Sequence, residues 1–401
     1  MLSSDSAKPA ADARPSRPVI DVLTALVAQP TVSSDSNLAL IRWVADYLAE
    51  RGIEAEQLPS SCGGKANLLA RIGPDRPGGV VLSGHTDVVP VEGQPWDTDP
   101  FSVVERDGRL YGRGTCDMKG FLALGLALVD EMHALERPIY LAFSYDEEIG
   151  CLGAPALIQA LVERNRAPAA VVVGEPTEMK VVTAHKGIAY LRTQVRGYES
   201  HSSLQHLGAS AIHAAARLVC WLSEEQATNS SRAVVTANMP EPPYSTLHCG
   251  LIEGGTAPNI TAGSCAFTTD IRTVPGDDPQ HYIDRYRQFA EEQVLPTLQA
   301  QHPSTAIDIE LLANAPPFQA SRDCPAVQLA CRLTGQNDTQ AQPYAAEAGQ
   351  FRQAGLPTVM CGPGSIAQAH QPNEFISLAQ LAAGERMLRR LIAELSSPRE
   401  S

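Results

Sequence analysis

The sequence lacks a paired-cysteine motif and any long apolar run, and each absence excludes a class of protein. Its nine cysteines are scattered and odd in number, with no CxxC pair, which argues against a disulfide framework and favours reduced thiols. We expect most of them to be buried as small apolar side chains. No segment approaches the roughly 18 to 20 apolar residues of a membrane span, and the opening MLSSDSAKPAADARPSRP has no apolar signal region. These features predict a soluble, cytoplasmic protein.

Basic residues are also in the minority. Lys and Arg number 31 against 45 Asp and Glu, for a formal net charge of −14. Nucleic acids and anionic membranes attract basic surfaces, so neither is an expected partner. A small solute or another protein is expected instead. With 401 residues, 44% of them hydrophobic, the chain is long enough for two domains.

The hydrophobic pattern changes twice along the chain. Helical periods alternate with short apolar runs up to about residue 186, which predicts an α/β domain with a mostly parallel sheet. Residues 187–311 read instead as period-two strands and amphipathic helices, an inserted α+β domain. The first pattern then returns, so the predicted α/β domain comprises 18–186 plus 312–401. Residues 1–17, rich in Ala, Ser and Pro, are predicted to be a flexible extension.

Acidic residues follow the apolar segments of the first pattern. SGHTDVVP carries His85 and Asp87, YGRGTCDMKG carries Asp117 just before a helix, and LAFSYDEE carries Glu147 and Glu148. Glu175 follows in AVVVGEPTE. Successive groups lie about 30 residues apart, the length of one βαβ unit. Because ligands bind beyond the carboxyl ends of such strands, we expect these side chains to meet at one edge of the sheet.

Carboxylates crowded in a dry cleft repel one another unless a strong positive charge lies between them. A set of His, Asp and Glu without Cys suits zinc first, with cobalt or manganese as alternatives. One His with three carboxylates exceeds what one catalytic zinc takes, which favours two divalent metal ions. Taken singly, HTD is typical of a polar turn and DEE of a solvated helix start, but their combination favours a metal site.

The spacing within each motif suggests separate tasks. Asp87 lies two residues after His85, so on a continuing strand its carboxylate would accept the second imidazole N–H and orient the ring. Glu147 and Glu148 are adjacent and cannot present the same face. One of them can therefore bind metal while the other transfers protons.

Several further motifs resemble one known family. SGHTDVVP, YGRGTCDMKG, DEEIGCLG, VVVGEPTEMKVVTAHKG, SHSS, GGTAPNI and CGPGSIAQAHQPNEF together resemble the M20 family of metallo-aminoacylases and peptidases, from about Pro18 to Leu395. The resemblance implies a two-metal amide hydrolase whose inserted domain acts as a lid and forms a homodimer. The expected partners are therefore a small N-acyl amino acid substrate and a second copy of the chain.

The resemblance also implies roles for individual residues. His85 and Glu175 would bind one metal ion, Glu148 and His370 the other, and Asp117 would bridge the two. Glu147 would be the general base and acid, with Asp87 orienting His85. His201 from the neighbouring subunit would stabilise the oxyanion, and Asn259 and Arg272 would contact the substrate carboxylate or acyl end. Without the resemblance, His201 is typical of a surface loop and Arg272 of an edge-strand salt bridge.

Other predictions concern the substrate. Gly362 and Gly364 in CGPGS would leave backbone N–H groups open to a ligand, and Lys186 is either a hinge residue or a solvated charge. The resemblance is greatest to family members that hydrolyse N2-acetyl-L-ornithine. The alternatives are desuccinylation of N-succinyl-diaminopimelate, deacylation of another N-acyl amino acid, carboxypeptidase activity, and a non-enzymatic metal-binding protein. Where many acetylornithine-hydrolysing members have TEAP, this chain has AEAG at 346–349, which puts recognition around Glu347 in doubt.

Overall fold

The computed structural model describes residues 14–163, 168–233 and 238–397. Helices within these ranges are α1 (Arg17–Val27), α2 (Leu38–Ala49), α3 (Lys119–Ala127), α4 (Ala154–Glu163), α5 (Ala211–Ser231), α6 (Pro279–Phe289), α7 (Leu295–Gln301), α8 (Pro325–Thr334), α9 (Ala348–Gln353) and α10 (Leu378–Leu395). Over the described part of the chain, none of these helices combines the length and apolarity needed to span a membrane.

The described strands, in chain order, are β1 (Ala55–Pro59), β2 (Ala66–Ile72), β3 (Val80–His85), β4 (Val104–Arg106), β5 (Arg109–Tyr111), β6 (Ile139–Ser144), β7 (Ala170–Val173), β8 (Val181–His185), β9 (Gly187–Arg196), β10 (Thr246–Gly254), β11 (Ser264–Thr273), β12 (Ala306–Ala315), β13 (Phe318–Gln319), β14 (Thr339–Gln342), β15 (Thr358–Met360) and β16 (Phe375–Ser377). They form a large sheet of nine strands, a sheet of four strands and a sheet of three.

The large sheet has a parallel centre, as the sequence predicts. Its order is β1-β2-β6-β3-β7-β15-β8-β13, with β14 beside β8, and the four central strands β6, β3, β7 and β15 are parallel to one another. Every residue of β3, β6 and β7 is buried, because α1, α3, α8 and α10 cover one face and α4 and α9 the other. Burial on both faces is why these strands are continuous apolar runs.

The four-stranded sheet belongs to the inserted segment. Its order is β10-β11-β9-β12, all antiparallel. Alternate residues of β9 are buried, and they pack with residues of α5 and α6 in a separate core that includes Leu191, Val195, Leu218, Trp221 and Tyr286. One covered face explains the period-two pattern of the sequence.

The insert ends later than predicted. Its first strand begins at Gly187, but its last strand, β12, continues to Ala315, beyond the predicted limit at residue 311. A register shift between Leu311 and Ala313 interrupts the pairing of β12 with β9. Such a shift is typical of a β-bulge, and the strand continues for four residues beyond residue 311.

The chain passes between the large sheet and the four-stranded sheet twice, from β8 to β9 and from β12 to β13. These two crossings lie next to each other. Lys186, at the first crossing, is 2% exposed, and its Nζ donates to the backbone oxygen of Tyr244 at 3.2 Å. Burial lowers the pKa of Lys186 to about 8, so the alternative of a solvated charge is wrong. Gly349 packs so tightly against the second crossing that a Cβ on it would lie 2.1 Å from the backbone oxygen of Pro316.

Two smaller predictions need correction. Residues 1–13 lie outside the described ranges, but the rest of the segment predicted as flexible, 14–17, is ordered. Arg14 pairs with Glu105 at 2.6 Å, and α1 begins at Arg17. All nine cysteines are free, but four of them are buried, namely Cys116, Cys151, Cys265 and Cys361. The prediction that most are buried is therefore wrong.

The contact at Gly349 predicts that Gly349→Ala destabilises the protein by about 1 to 3 kcal/mol, because backbone atoms of Pro316 must move to admit the methyl group. Gly250→Ala is the matched control, since the nearest atom to its added Cβ would be 3.7 Å away. Denaturant unfolding measures both. Equal stability of the two variants would show that Gly349 is not constrained by the crossing.

Candidate metal centre

The predicted acidic residues meet at one edge of the large sheet. His85 is the last residue of β3, Glu147 and Glu148 follow β6, and Glu175 follows β7. These three strands are neighbours and parallel, so their carboxyl ends coincide. Asp117 reaches the same place differently. It precedes α3 after a loop from β5, a strand of the separate three-stranded sheet, so it does not leave a strand of the large sheet.

Two groups of possible metal ligands share one residue. In the first, which we call position 1, ligand atoms of His85, Asp117 and Glu175 all lie within 4.8 Å of one another. In the second, position 2, the same holds for Asp117, Glu148 and His370. His85 Nε2 is 3.1 Å from Asp117 Oδ1, and His370 Nε2 is 3.6 Å from Asp117 Oδ2. The two oxygens of Asp117 therefore face different positions, as a bridging ligand requires.

The donor set fits divalent cations. Each position offers one imidazole nitrogen and two carboxylates, ligands that suit zinc, cobalt and manganese. Asp117 and Glu175 are 5% and 4% exposed, and Glu175 Oε1 has no hydrogen-bond partner among the described residues. A buried carboxylate oxygen without a partner is costly, and a bound cation would remove that cost.

The pKa values show how strongly these groups interact. Burial, reinforced by the charge of Asp117, raises the pKa of Glu175 well above its usual range and that of Glu148 to about 7. A hydrogen bond with Glu148, 2.9 Å from His370 Nε2, raises the pKa of His370 to about 9. Burial also acts to raise the pKa of Asp117, but the hydrogen bond and charge of His85 outweigh it and the pKa is lowered. These shifts show that the acids and the imidazoles of the two positions interact strongly.

Glu147 lies beside both positions and lines a cleft of about 310 Å³. Burial, followed by the charges of neighbouring acids including Glu148, raises its pKa well above the usual range. The thiol of Cys151 donates to Glu147 Oε1 at 3.4 Å. Glu147 is thus available for proton transfer at the edge of the two positions.

Asp87 has a different contact from the predicted one. His85 Nδ1 lies 2.9 Å from the backbone oxygen of Asp87, while the nearer carboxylate oxygen is 3.6 Å away. The carboxylate instead accepts the backbone N–H groups of Glu147 and Glu148 at 3.1 and 3.2 Å and the hydroxyl of Ser33 at 2.7 Å. Asp87 therefore orients His85 through its main chain, and its side chain holds the two glutamates.

Arg272 reaches the cleft from the insert. It lies on β11, which is an interior strand of the four-stranded sheet. The alternative prediction of a salt bridge on an edge strand is therefore wrong about the strand, although Arg272 does pair with Asp270. Its Nε donates to Asp270 Oδ1 at 2.8 Å and its Nη2 to the hydroxyl of Tyr190 at 2.7 Å. These two contacts hold the guanidinium against the cleft, which both Arg272 and Tyr190 line.

The glycines of CGPGS do not offer free N–H groups, contrary to the prediction. The N–H of Gly362 donates to Thr177 Oγ1 at 3.1 Å, and that of Gly364 to Gln380 Oε1 at 3.3 Å. A Cβ on Gly362 would lie 2.1 Å from the backbone oxygen of Gly174. These glycines allow two loops to pack closely, and neither lines the cleft.

His201 and Asn259 also lie away from the cleft of their own chain. His201 is exposed, and its Nδ1 is 2.7 Å from Ser203 Oγ. The backbone oxygen of Asn259 accepts from the N–H of Ser202 at 2.9 Å, so the two residues lie close together on the insert. The role of His201 was predicted for the site of a neighbouring subunit, so its role and that of Asn259 stay predictions.

Glu347, in the AEAG segment, is 1% exposed and does not line the cleft. Burial raises the pKa of Glu347 to about 7, although the hydroxyls of Ser144 and Ser83 act to lower it. The AEAG departure therefore affects packing behind the centre, including the close contact of Gly349, and not a surface that a ligand in the cleft would touch.

Sequence reasoning missed the apolar walls of the cleft and the residues that hold the ligand loops. The walls include Ile188, Tyr190, Tyr344 and Ile366. A buried pair, Arg113 and Glu374, contacts the loop of Asp117. Tyr190 could have been found, because it lies opposite Asp270 on paired strands. Glu374 had no signal beyond its place four residues after His370.

Comparisons with known proteins agree with this geometry. Residues 81–394 match peptidase family M20/M25/M40. An acetylornithine deacetylase of Myxococcus xanthus is 32% identical over 94% of this chain and 97% of that protein, and one of Proteus mirabilis is 35% identical over 93% and 95%. Among solved structures, a M20 family metallo-carboxypeptidase of Sulfolobus solfataricus has a TM-score of 0.72 at 19% identity, covering 94% of this chain and 99% of that one.

The fold and the site together define a metal-dependent hydrolase of amide bonds. The chain belongs to peptidase family M20/M25/M40. A dinuclear metal binding peptidase from the M20 family of Bacillus subtilis shares the fold, with a TM-score of 0.63, 17% identity and coverage of 94% and 96% of the two chains.

The shared ligand predicts three distinct binding patterns. Asp117→Asn should weaken binding of both zinc ions by at least about 100-fold, whereas Glu175→Gln should weaken position 1 alone and Glu148→Gln position 2 alone, because each removes a ligand from one group. Calorimetric titration of zinc into the stripped protein measures this. Asp323→Asn, at an exposed position, is the control. Retention of one tight ion by Asp117→Asn would contradict a bridging role.

Proposed function

We propose that this protein hydrolyses N2-acetyl-L-ornithine to ornithine and acetate. The observation that carries the proposal is the pair of ligand groups that share Asp117, with Glu147 beside them in a cleft. The substrate is supported by the relatives named acetylornithine deacetylase, which are 32 to 35% identical over nearly the whole chain.

In this proposal His85, Asp117 and Glu175 hold one cation, and Asp117, Glu148 and His370 hold the other. Zinc is the expected metal, with cobalt or manganese as alternatives. When bound, the two cations would lower the pKa of the attacking water and polarise the carbonyl of the scissile amide.

Glu147 transfers the protons of the reaction. It takes a proton from the attacking water and returns it to the nitrogen of the leaving amine, which requires one carboxyl group to act first as base and then as acid. Asp87 supports this role because its carboxylate accepts the backbone N–H groups of Glu147 and Glu148. The proton carrier and the adjacent metal ligand are thereby held in a fixed relation.

Arg272 binds the carboxylate of the substrate. Its guanidinium is fixed at the cleft by Asp270 and Tyr190, and a planar guanidinium pairs well with a carboxylate. Every N-acyl amino acid has this carboxylate, so Arg272 would select the class of substrate and not its side chain.

The cleft walls favour a second candidate, an N-acetyl amino acid with a neutral side chain such as methionine. The acids that line the cleft are Asp117, Glu147, Glu148 and Glu175, which are all assigned to the metals and the proton. Among the described lining residues, the δ-ammonium of ornithine therefore has no carboxylate of its own. Ile188, Ile366 and Tyr344 would instead pack against an apolar side chain.

The proposal includes a homodimer formed through the insert. His201 lies on the insert surface and outside its own cleft, so it can contribute to a site only in a second copy, where it would donate to the developing oxyanion. Nine free cysteines support a reducing, cytoplasmic location.

Removal of the proton carrier provides one test. Glu147→Gln should retain both metal ions but lower kcat about 100- to 10,000-fold, because an amide cannot accept the proton. Metal content and steady-state turnover measure the two effects separately. Glu310→Gln, at an exposed position of β12, is the control. Wild-type turnover by Glu147→Gln would remove Glu147 from the reaction.

A substrate panel provides the other test. N2-acetyl-L-ornithine should have a higher kcat/KM than N-succinyl-diaminopimelate and N-acetyl-L-methionine. The same metal-loaded preparation is used for all three, so that differences reflect the substrate. A preference for N-acetyl-L-methionine would favour the second candidate, and hydrolysis of none of them would contradict the proposed reaction.

A further inference from the structure

A buried polar network connects the loop of Asp117 to the segment that carries His370. Arg113 and Glu374 form its centre. Both side chains are 1% exposed, and Arg113 Nη1 lies 2.8 Å from Glu374 Oε2. A buried ion pair stabilises little by itself, because both charges lose their hydration. The structural role of the pair therefore follows from the other hydrogen bonds that Arg113 and Glu374 make.

The carboxylate of Glu374 holds the Asp117 loop by its backbone. Its Oε1 accepts the N–H groups of Cys116 and Asp117 at 2.8 and 3.0 Å, and its Oε2 also accepts that of Gly114 at 3.1 Å. Three N–H groups converging on one carboxylate leave the loop little freedom to move. The loop has no sheet partner at this point, so Glu374 supplies the constraint that a strand would supply elsewhere.

The guanidinium of Arg113 extends the network to His370. Arg113 Nη2 donates to Gln94 Oε1 at 2.6 Å, and Gln94 Nε2 donates to the backbone oxygen of His370 at 3.0 Å. His370 itself has a φ of 63°, a left-handed conformation that a non-glycine residue adopts at some cost. Gln94 therefore makes a contact that helps keep His370 in this conformation.

We propose that Gln94, Arg113 and Glu374 form a positioning network that sets the distance between Asp117 and His370 and thereby the metal affinity of position 2. The inference rests on the two-metal function proposed above. The network supports a ligand of position 2 that the large sheet does not hold. His85 and Glu175 are placed by β3 and β7 in the large sheet, whereas His370 depends on a loop and a side-chain contact.

The network predicts a different pattern for each variant. Gln94→Met, which keeps the length of the side chain, should weaken zinc binding about 10- to 100-fold at position 2 and leave position 1 unchanged. Glu374→Gln should weaken both positions, because it releases the loop of the shared ligand Asp117. Gln288→Met is the matched control, because Gln288 is exposed on α6 and its Nε2 donates to Glu292 Oε1 at 3.1 Å. This variant should bind both ions as the wild type does.

The experiment is calorimetric titration of zinc into the stripped full-length protein, with Glu175→Gln and Glu148→Gln to assign the two binding steps. Thermal unfolding of the metal-free variants identifies loss of fold; if Glu374→Gln fails to fold, Gln94→Met alone decides. Equal weakening of both steps in Gln94→Met, or wild-type binding, would overturn the network. Failure of the wild type to bind two ions would instead contradict the proposed function.

Discussion

Mutual repulsion of acidic groups in one buried cleft is the constraint on which the rest of this structure depends. Asp117 and Glu175 are almost fully buried, Glu147 and Glu148 adjoin them, and every added negative charge there raises the pKa of the others. The imidazoles of His85 and His370, which lie close to Asp117, oppose this repulsion in part. The donor geometry offers a stronger solution, since two cations sharing Asp117 would neutralise all of these groups at once. Much of the surrounding architecture keeps the donors at the distances this solution needs.

Two kinds of contact hold these acidic groups and histidines in place, namely backbone pairing in the large sheet and side-chain hydrogen bonds to loops. Parallel strands bring His85, Glu147, Glu148 and Glu175 to one edge because backbone hydrogen bonds of the large sheet fix their ends. Asp117 and His370 lie on loops and depend on side chains, chiefly Glu374 for the former. The carboxylate of Asp87 adds a third contact by holding the backbone of both glutamates.

The insert contributes Arg272 and Tyr190 to the cleft wall, whereas the candidate metal ligands all lie outside the insert. Arg272 lines the cleft from an interior strand and is held by Tyr190 and Asp270, while Glu147, Glu148 and Glu175 follow strands of the large sheet. The two crossings lie close together, where Lys186 is buried and Gly349 contacts Pro316. The AEAG segment belongs to this packing, so its departure from the usual pattern bears on the crossings and not on the cleft walls.

Local patterns in the sequence determined the alternation of strands and helices, the existence of the insert and the presence of an acidic centre at the strand ends. Burial on one face produces a period that can be read along the chain, and burial on both faces produces a continuous apolar run. Tertiary structure alone decided which atoms meet. Contacts between distant segments decide three features of the site. They occupy the N–H groups of the CGPGS glycines, they turn the carboxylate of Asp87 towards the two glutamates, and they let Glu374 hold Asp117 across more than 250 residues. Such contacts leave no periodicity, because each is a single pairing made by the packing of the whole chain.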